Sequence, residues 1–101
     1  MKPSQNGKAF KLMKHFNVSI FGRVQGVGFR WSALKLAEKL NLKGFVENAK
    51  DGSLYIEVEG DEENLEKFMN WCRKGPWLAE VSSIQVEEAE AKSYNTFEIK
   101  H

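Results

Sequence analysis

The stretch that most constrains this chain is Gly22 to Arg30, which reads GRVQGVGFR. Before it, Phe16, Val18 and Ile20 alternate with Asn17, Ser19 and Phe21, the period of a strand with one apolar face. After it, Ala33, Leu36, Ala37 and Leu40 recur at i, i+3, i+4 and i+7, the period of an amphipathic helix over Arg30 to Asn41. The segment therefore joins a strand to a helix through Gly22, Gly26 and Gly28. Glycine adopts backbone angles closed to other residues, and a curled segment can aim successive N–H groups at one point. The helix start adds unpaired donors and partial positive charge, and Arg30 adds a planar fork that matches two phosphate oxygens. These features favour a small oxyanion, most simply phosphate. The glycine spacing is neither that of a dinucleotide-binding turn nor that of a P-loop, and no Lys-Ser or Lys-Thr pair follows. On chemistry alone a plain strand-to-helix linker and a phosphate site both stay open.

The remaining elements follow from the same periodicities. Gly44 to Asn48 and Leu54 to Glu59 are strand candidates, and Lys50-Asp51-Gly52-Ser53 between them carries the Asp-Gly signal of a tight hairpin. Leu54, Ile56 and Val58 face one way, Tyr55, Glu57 and Glu59 the other. Asp61 reads as an N-cap with Glu62 and Glu63 in the first turn. Leu65, Phe68, Met69 and Cys72 form that helix's apolar stripe, and Gly75-Pro76 stops it. Strands over about 81–88 and 95–100 complete the order β-α-β-β-α-β plus a last strand. That order predicts an α+β fold, the ferredoxin-like split β-α-β sandwich: an antiparallel sheet with two helices on one face.

Charge separates a tail from the domain. Residues 1–15 carry Lys2, Lys8, Lys11 and Lys14 with no acid and little periodicity, so they read as a flexible basic tail ahead of a domain over 16–101. Of the 15 Lys and Arg, 11 remain for the domain against all 14 acids, a poor match for a nucleic-acid backbone. Neither a nucleic acid nor a membrane is an expected partner, since no apolar run nears the roughly 20 residues that span a bilayer. The N-terminus lacks the apolar core of a secretory signal. Cys72 is the only cysteine and falls on an apolar stripe, while His15 and His101 lie near the chain ends. No metal site or cofactor is expected from them, and a cytoplasmic location follows as the default. Glu57, Glu59, Asp61, Glu62, Glu63 and Glu66 read as a solvated strand edge and helix start. Trp31, Trp71 and Trp77 read as packing or half-buried surface.

Phe21-Gly22-Arg23-Val24-Gln25-Gly26-Val27-Gly28-Phe29-Arg30, followed by Gly44-Phe45-Val46-Glu47-Asn48 and Asp51-Gly52, resembles the acylphosphatase family. The resemblance continues in Val58-Glu59-Gly60 and in the closing Tyr94-Asn95-Thr96-Phe97-Glu98-Ile99, covering about residues 16–100. It implies hydrolysis of acyl phosphates to a carboxylate and inorganic phosphate on a ferredoxin-like fold, without metal or cofactor. It also implies that Arg30 and Asn48 are catalytic and that Gln25, Gly26, Val27, Gly28 and Phe29 cradle the phosphate with Arg30. The expected partners are then a small-molecule acyl phosphate and inorganic phosphate, as product and inhibitor, with the chain acting as a monomer. Phe45 stands where Trp is more usual. Glu47 stands where a basic or neutral residue is common, but strand alternation turns it away from Asn48. Arg23 is expected to support the loop by bonding its carbonyls.

The implied chemistry suits these residues. The departing carboxylate is a weak base, with a pKa of about 4, so no general acid is required. Phosphoryl transfer is chiefly positioning and electrostatics, and Asn48 carries both a donor and an acceptor for a water and the substrate. Two rivals belong to other classes. Lys43-Gly44-Phe45 is similar to the start of an RNA-binding motif, but Val46-Glu47-Asn48 does not supply the aromatic positions that stack bases. A catalytically idle phosphate sensor would share the loop, and only the pairing of Arg30 with Asn48 argues against it.

Overall fold

A computed structural model describes residues 12–101. Its elements run β1 (Met13–Arg23), α1 (Phe29–Lys39), β2 (Lys43–Asn48), β3 (Leu54–Asp61), α2 (Glu62–Cys72), β4 (Glu80–Ala89) and β5 (Phe97–Lys100). The sheet order is β4-β1-β3-β2-β5. β3 lies between β1 and β2 and pairs antiparallel with both, β4 pairs antiparallel with β1, and β5 runs parallel to β2. This is the ferredoxin-like arrangement, with β5 extending one edge.

Period-two alternation sets which side chains enter the core. Val18 pairs with Ile56 and Ile20 with Leu54, and all four are fully buried against Ala33, Ala37, Leu65 and Phe68 of the helices. Each large apolar side chain buried this way contributes about 1.5–3 kcal/mol relative to exposure. α2 starts as its sequence requires. The Asp61 carboxylate accepts from the Glu63 N–H at 3.0 Å, and Glu62 and Glu63 occupy the first turn. α1 stops at Lys39, two residues before the expected Asn41, because Asn41 turns to a φ of 58° and Leu42 bonds back to Ala37.

Two expectations are corrected. β1 opens at Met13, so Met13, Lys14 and His15 belong to the sheet and not to the tail. They pair with Asp61, Gly60 and Glu59. Residues 1–11 of the expected tail lie outside the described residues. Glu57 and Glu59 are not solvated either: they are 7% and 6% exposed. β4 and β5 lie on opposite edges and the helices occupy one face, so the chain between them must cross the other. Residues 90–96 make that crossing over the two glutamates. Glu59 accepts from the backbone N–H groups of Lys92 and Tyr94, both at 2.8 Å, and from His15 Nδ1 at 2.7 Å. Glu57 accepts from Lys92 Nζ at 2.9 Å, Tyr94 at 2.8 Å and Tyr55 at 2.7 Å. Burial pushes the Glu57 carboxyl up, but the bonds from Lys92, Tyr55 and Tyr94 outweigh it and hold the group at about 2. Glu59 is likewise opposed by burial and ends below the ordinary range through His15 and the two backbone donors.

Candidate active site

The glycine loop leaves β1 at one end of the sheet and enters α1 directly. Val24 and Phe29 anchor its two ends, each 1% exposed, and Phe29 meets Trp71 edge to face at 5.1 Å. Between them Gly26 and Gly28 take φ values of 75° and 81°. A Cβ at either would meet nothing within 4 Å, so glycine is needed there for its backbone angle and not for space. Gly28 is the N-cap of α1 and has no side chain to bond the first turn, which also contains no acidic residue. No side chain therefore caps the first turn, the setting that attracts an anion.

Arg30 stands in that first turn, half-buried, where the helix dipole alone disfavours a cation. Asn48 ends β2 opposite Leu54, on the helix side of the sheet, while Glu47 pairs with Tyr55 and turns to the other face. Arg30 and Asn48 open on one cleft of about 170 Å³, with Gly26, Gly28 and Phe29 of the loop in its wall. Ligand pockets for larger molecules run to about 300–1,000 Å³, so this cleft suits a small group.

Gln25 and Val27 are placed differently. Val27 packs partly buried against the core. The Gln25 amide donates to the carbonyls of Ala49 and Ser53, both at 2.9 Å, and so ties the loop to the β2–β3 turn just past Asn48. That turn is shaped in its own right by Asp51, whose carboxylate accepts from Ser53 Oγ at 2.6 Å and from Ser53 N–H at 2.9 Å; these bonds hold it below its ordinary range. Arg23, expected to brace the loop carbonyls, instead lies 3.6 Å from Glu80 on the surface. Cys72 is fully buried, and burial pushes its thiol well up, away from nucleophilic use.

Trp31, Ile99 and His101 also line the cleft. By sequence position His101 is only a chain-end histidine, and Trp31 carries no chemistry of its own. Their signal was weak but present. Phe97, Ile99 and His101 alternate, and the parallel pairing of Val46 with Ile99 brings that face beside Asn48. The cleft thus brings together the glycine loop at a helix start, one guanidinium and one neutral amide, with the apolar side chains of Val24, Phe29, Trp31 and Ile99 in its wall.

The acylphosphatase family model matches residues 16–99. An acylphosphatase of Thermotoga maritima is 44% identical over 89 residues, which are 88% of this chain and 99% of that protein. The solved acylphosphatase from Bacillus subtilis has a TM-score of 0.84 at 33% identity, over 89% of this chain and 100% of that one. Full-length HypF, solved in a phosphate- and nucleotide-bound form, has a TM-score of 0.85 at 42% identity over 91% of this chain but only 12% of its own.

Proposed function

The chain belongs to the acylphosphatase family, whose reaction is hydrolysis of acyl phosphates to a carboxylate and inorganic phosphate, and we propose that it performs that reaction through Arg30, the Gln25–Phe29 loop and Asn48. The observation that carries the assignment is that Arg30 and Asn48, 18 residues apart in sequence, share one small cleft.

The phosphoryl group sits against the N–H groups of the loop and first helical turn, with two of its oxygens on the Arg30 fork. The Asn48 amide oxygen accepts from a water while its NH₂ donates to the substrate, which places the water in line with the bond to be broken. The water oxygen bonds to phosphorus as the bond from phosphorus to the acyl oxygen breaks. The water proton passes to a phosphate oxygen, and the carboxylate leaves unprotonated. Within the loop, Gln25 acts by holding the loop to the turn beside Asn48, so that anion and water are positioned by one braced unit.

Several finer points belong to the same reading. Inorganic phosphate should inhibit competitively, because it matches the cradle without the acyl group. The catalytic unit is residues 13–101, β1 included, and it acts as a monomer. A reducing cytoplasm fits a single, buried, unpaired Cys72. No helix among the described residues is long and apolar enough to cross a membrane. The test is hydrolysis of benzoyl phosphate by the EDTA-treated protein. Steady turnover supports the reading, and decay at the background rate with intact phosphate binding would leave only an idle phosphate binder.

A further inference from the structure

The cleft that Arg30 and Asn48 open on is also lined by Val24, Phe29, Trp31 and Ile99. Val24 and Phe29, both 1% exposed, form a floor that no ligand can reach far into. Ile99 is half-buried. Trp31 differs from all of them: it is 62% exposed and still lines the cleft with Arg30 and Asn48. A space of about 170 Å³ encloses a phosphoryl group and its water, not a bulky acyl group as well. The acyl part of any substrate must therefore leave the cleft past the residues at its rim. Arg30 and Trp31 both line this cleft, so a group bonded to a phosphate on Arg30 can leave it across the exposed indole.

We propose that Trp31, backed by Ile99, is the surface on which the acyl group rests, and that it gives the enzyme a preference for aryl and other flat apolar acyl phosphates over acetyl phosphate. An indole offers a rigid apolar face at low conformational cost. Lys35, one turn further along α1, holds its ammonium 5.7 Å from the ring centre and restrains the ring through a cation–π contact. An acetyl group is too short to cover that face, whereas a benzoyl ring can stack on it. Trp31 is thus a specificity-determining residue and takes no part in bond breaking. The inference rests on the phosphate position proposed above.

The experiment compares kcat and KM for benzoyl and acetyl phosphate in the wild type, Trp31→Ala, Trp31→Phe and Arg30→Ala. Stacking between aromatic groups contributes about 0.5–1.5 kcal/mol beyond buried area, a factor of about 2–12. Trp31→Ala should accordingly lower kcat/KM for benzoyl phosphate about 5-fold more than for acetyl phosphate, with the selective part of the loss in KM. Trp31→Phe should retain at least half of the benzoyl preference. Equal proportional losses on both substrates, or an unchanged ratio in the alanine variant, would overturn the acyl surface. Arg30→Ala should lose both substrates together, and full activity in that variant would overturn the phosphate assignment itself.

Discussion

Glu57→Gln tests whether the buried network on the far face of the sheet stabilises the domain through a charge. In the folded protein the carboxyl is held at about 2 against an ordinary 4.5. At 1.36 kcal/mol per tenfold change in proton affinity, that difference corresponds to about 3 kcal/mol at neutral pH. The sign follows from the lowered folded value. The unfolded chain binds the proton first, so the stabilisation is complete above about pH 4.5 and is lost as pH falls toward 2. Glutamine keeps the shape and one acceptor but loses the charge that Lys92 pairs with at 2.9 Å. It also turns an NH₂ toward a position lined by Tyr55, Tyr94 and Lys92 donors. Unfolding in urea, followed by circular dichroism at several pH values, should show a loss of about 2–3 kcal/mol at pH 7. The corresponding fall in Tm is about 10–20 °C for a domain of this size. The gap between wild type and variant should close toward pH 2. A loss of the same size at pH 7 and pH 2.5 would refute the electrostatic account and leave a steric one. Below the melting range kcat should be retained, because Glu57 faces away from Arg30 and Asn48, and any change should fall on KM through the crossing that leads to Ile99.

Arg30→Ala should lower kcat/KM by about 10²–10³-fold, the usual cost of deleting one donor to developing charge, and Arg30→Lys should restore little of it, since a point charge cannot replace the fork; steady-state kinetics with benzoyl phosphate decides, and a near-native lysine variant would count against the bidentate grip. Asn48→Ala should lower kcat far more than it raises the inhibition constant for phosphate, and Asn48→Asp should be no better at neutral pH, where a carboxylate loses the donor and repels the anion. A rate in the aspartate variant that follows carboxylate ionisation would make residue 48 a general base instead. Deleting residues 1–11 should leave Tm and activity intact, whereas deleting residues 1–15 should lower Tm sharply by removing His15 and its pairing with Glu59; equal melting of the two truncations would show that the start of β1 contributes nothing.

Local periodicity carried most of the fold because each burial decision it encodes is local. Val18 and Ile20, or Leu65 and Phe68, reveal a buried face wherever that face ends up. The glycine loop and Arg30 leave marks on the chain itself, a special backbone and a charge at a helix start, whereas Asn48 stands out only through the resemblance; the fold brings Arg30 and Asn48 to one cleft. His15, Glu57 and Glu59 were not legible. Their burial depends on residues 90–96 crossing the sheet, a consequence of strand order rather than of anything beside those residues. Period two placed Glu57 and Glu59 on the far face correctly and said nothing of what covers it. Gln25 shows the same limit at the site. Its side chain bonds carbonyls 24 and 28 residues away, a tie that no neighbour in sequence announces.

The far-face network also bears on the cleft it does not touch. Glu59 holds the N–H groups of Lys92 and Tyr94, and two residues later the Thr96 carbonyl accepts from the Gly44 N–H at 2.9 Å. Those bonds deliver the chain to the edge of β2 in a defined register, where Phe97 pairs with Gly44 and Ile99 with Val46. β5 is only four residues long and sits at an edge, so its own ladder is a weak constraint. Its position depends on Phe97, which is buried against Phe68, and on how the crossing is fastened. Ile99 and His101, which line the cleft with Arg30, are therefore placed in part by carboxylates on the other side of the sheet. Loosening the crossing should blur the mouth of the cleft before it disturbs Arg30 or Asn48, because the loop and the β2–β3 turn are tied to each other by Gln25 and not to β5.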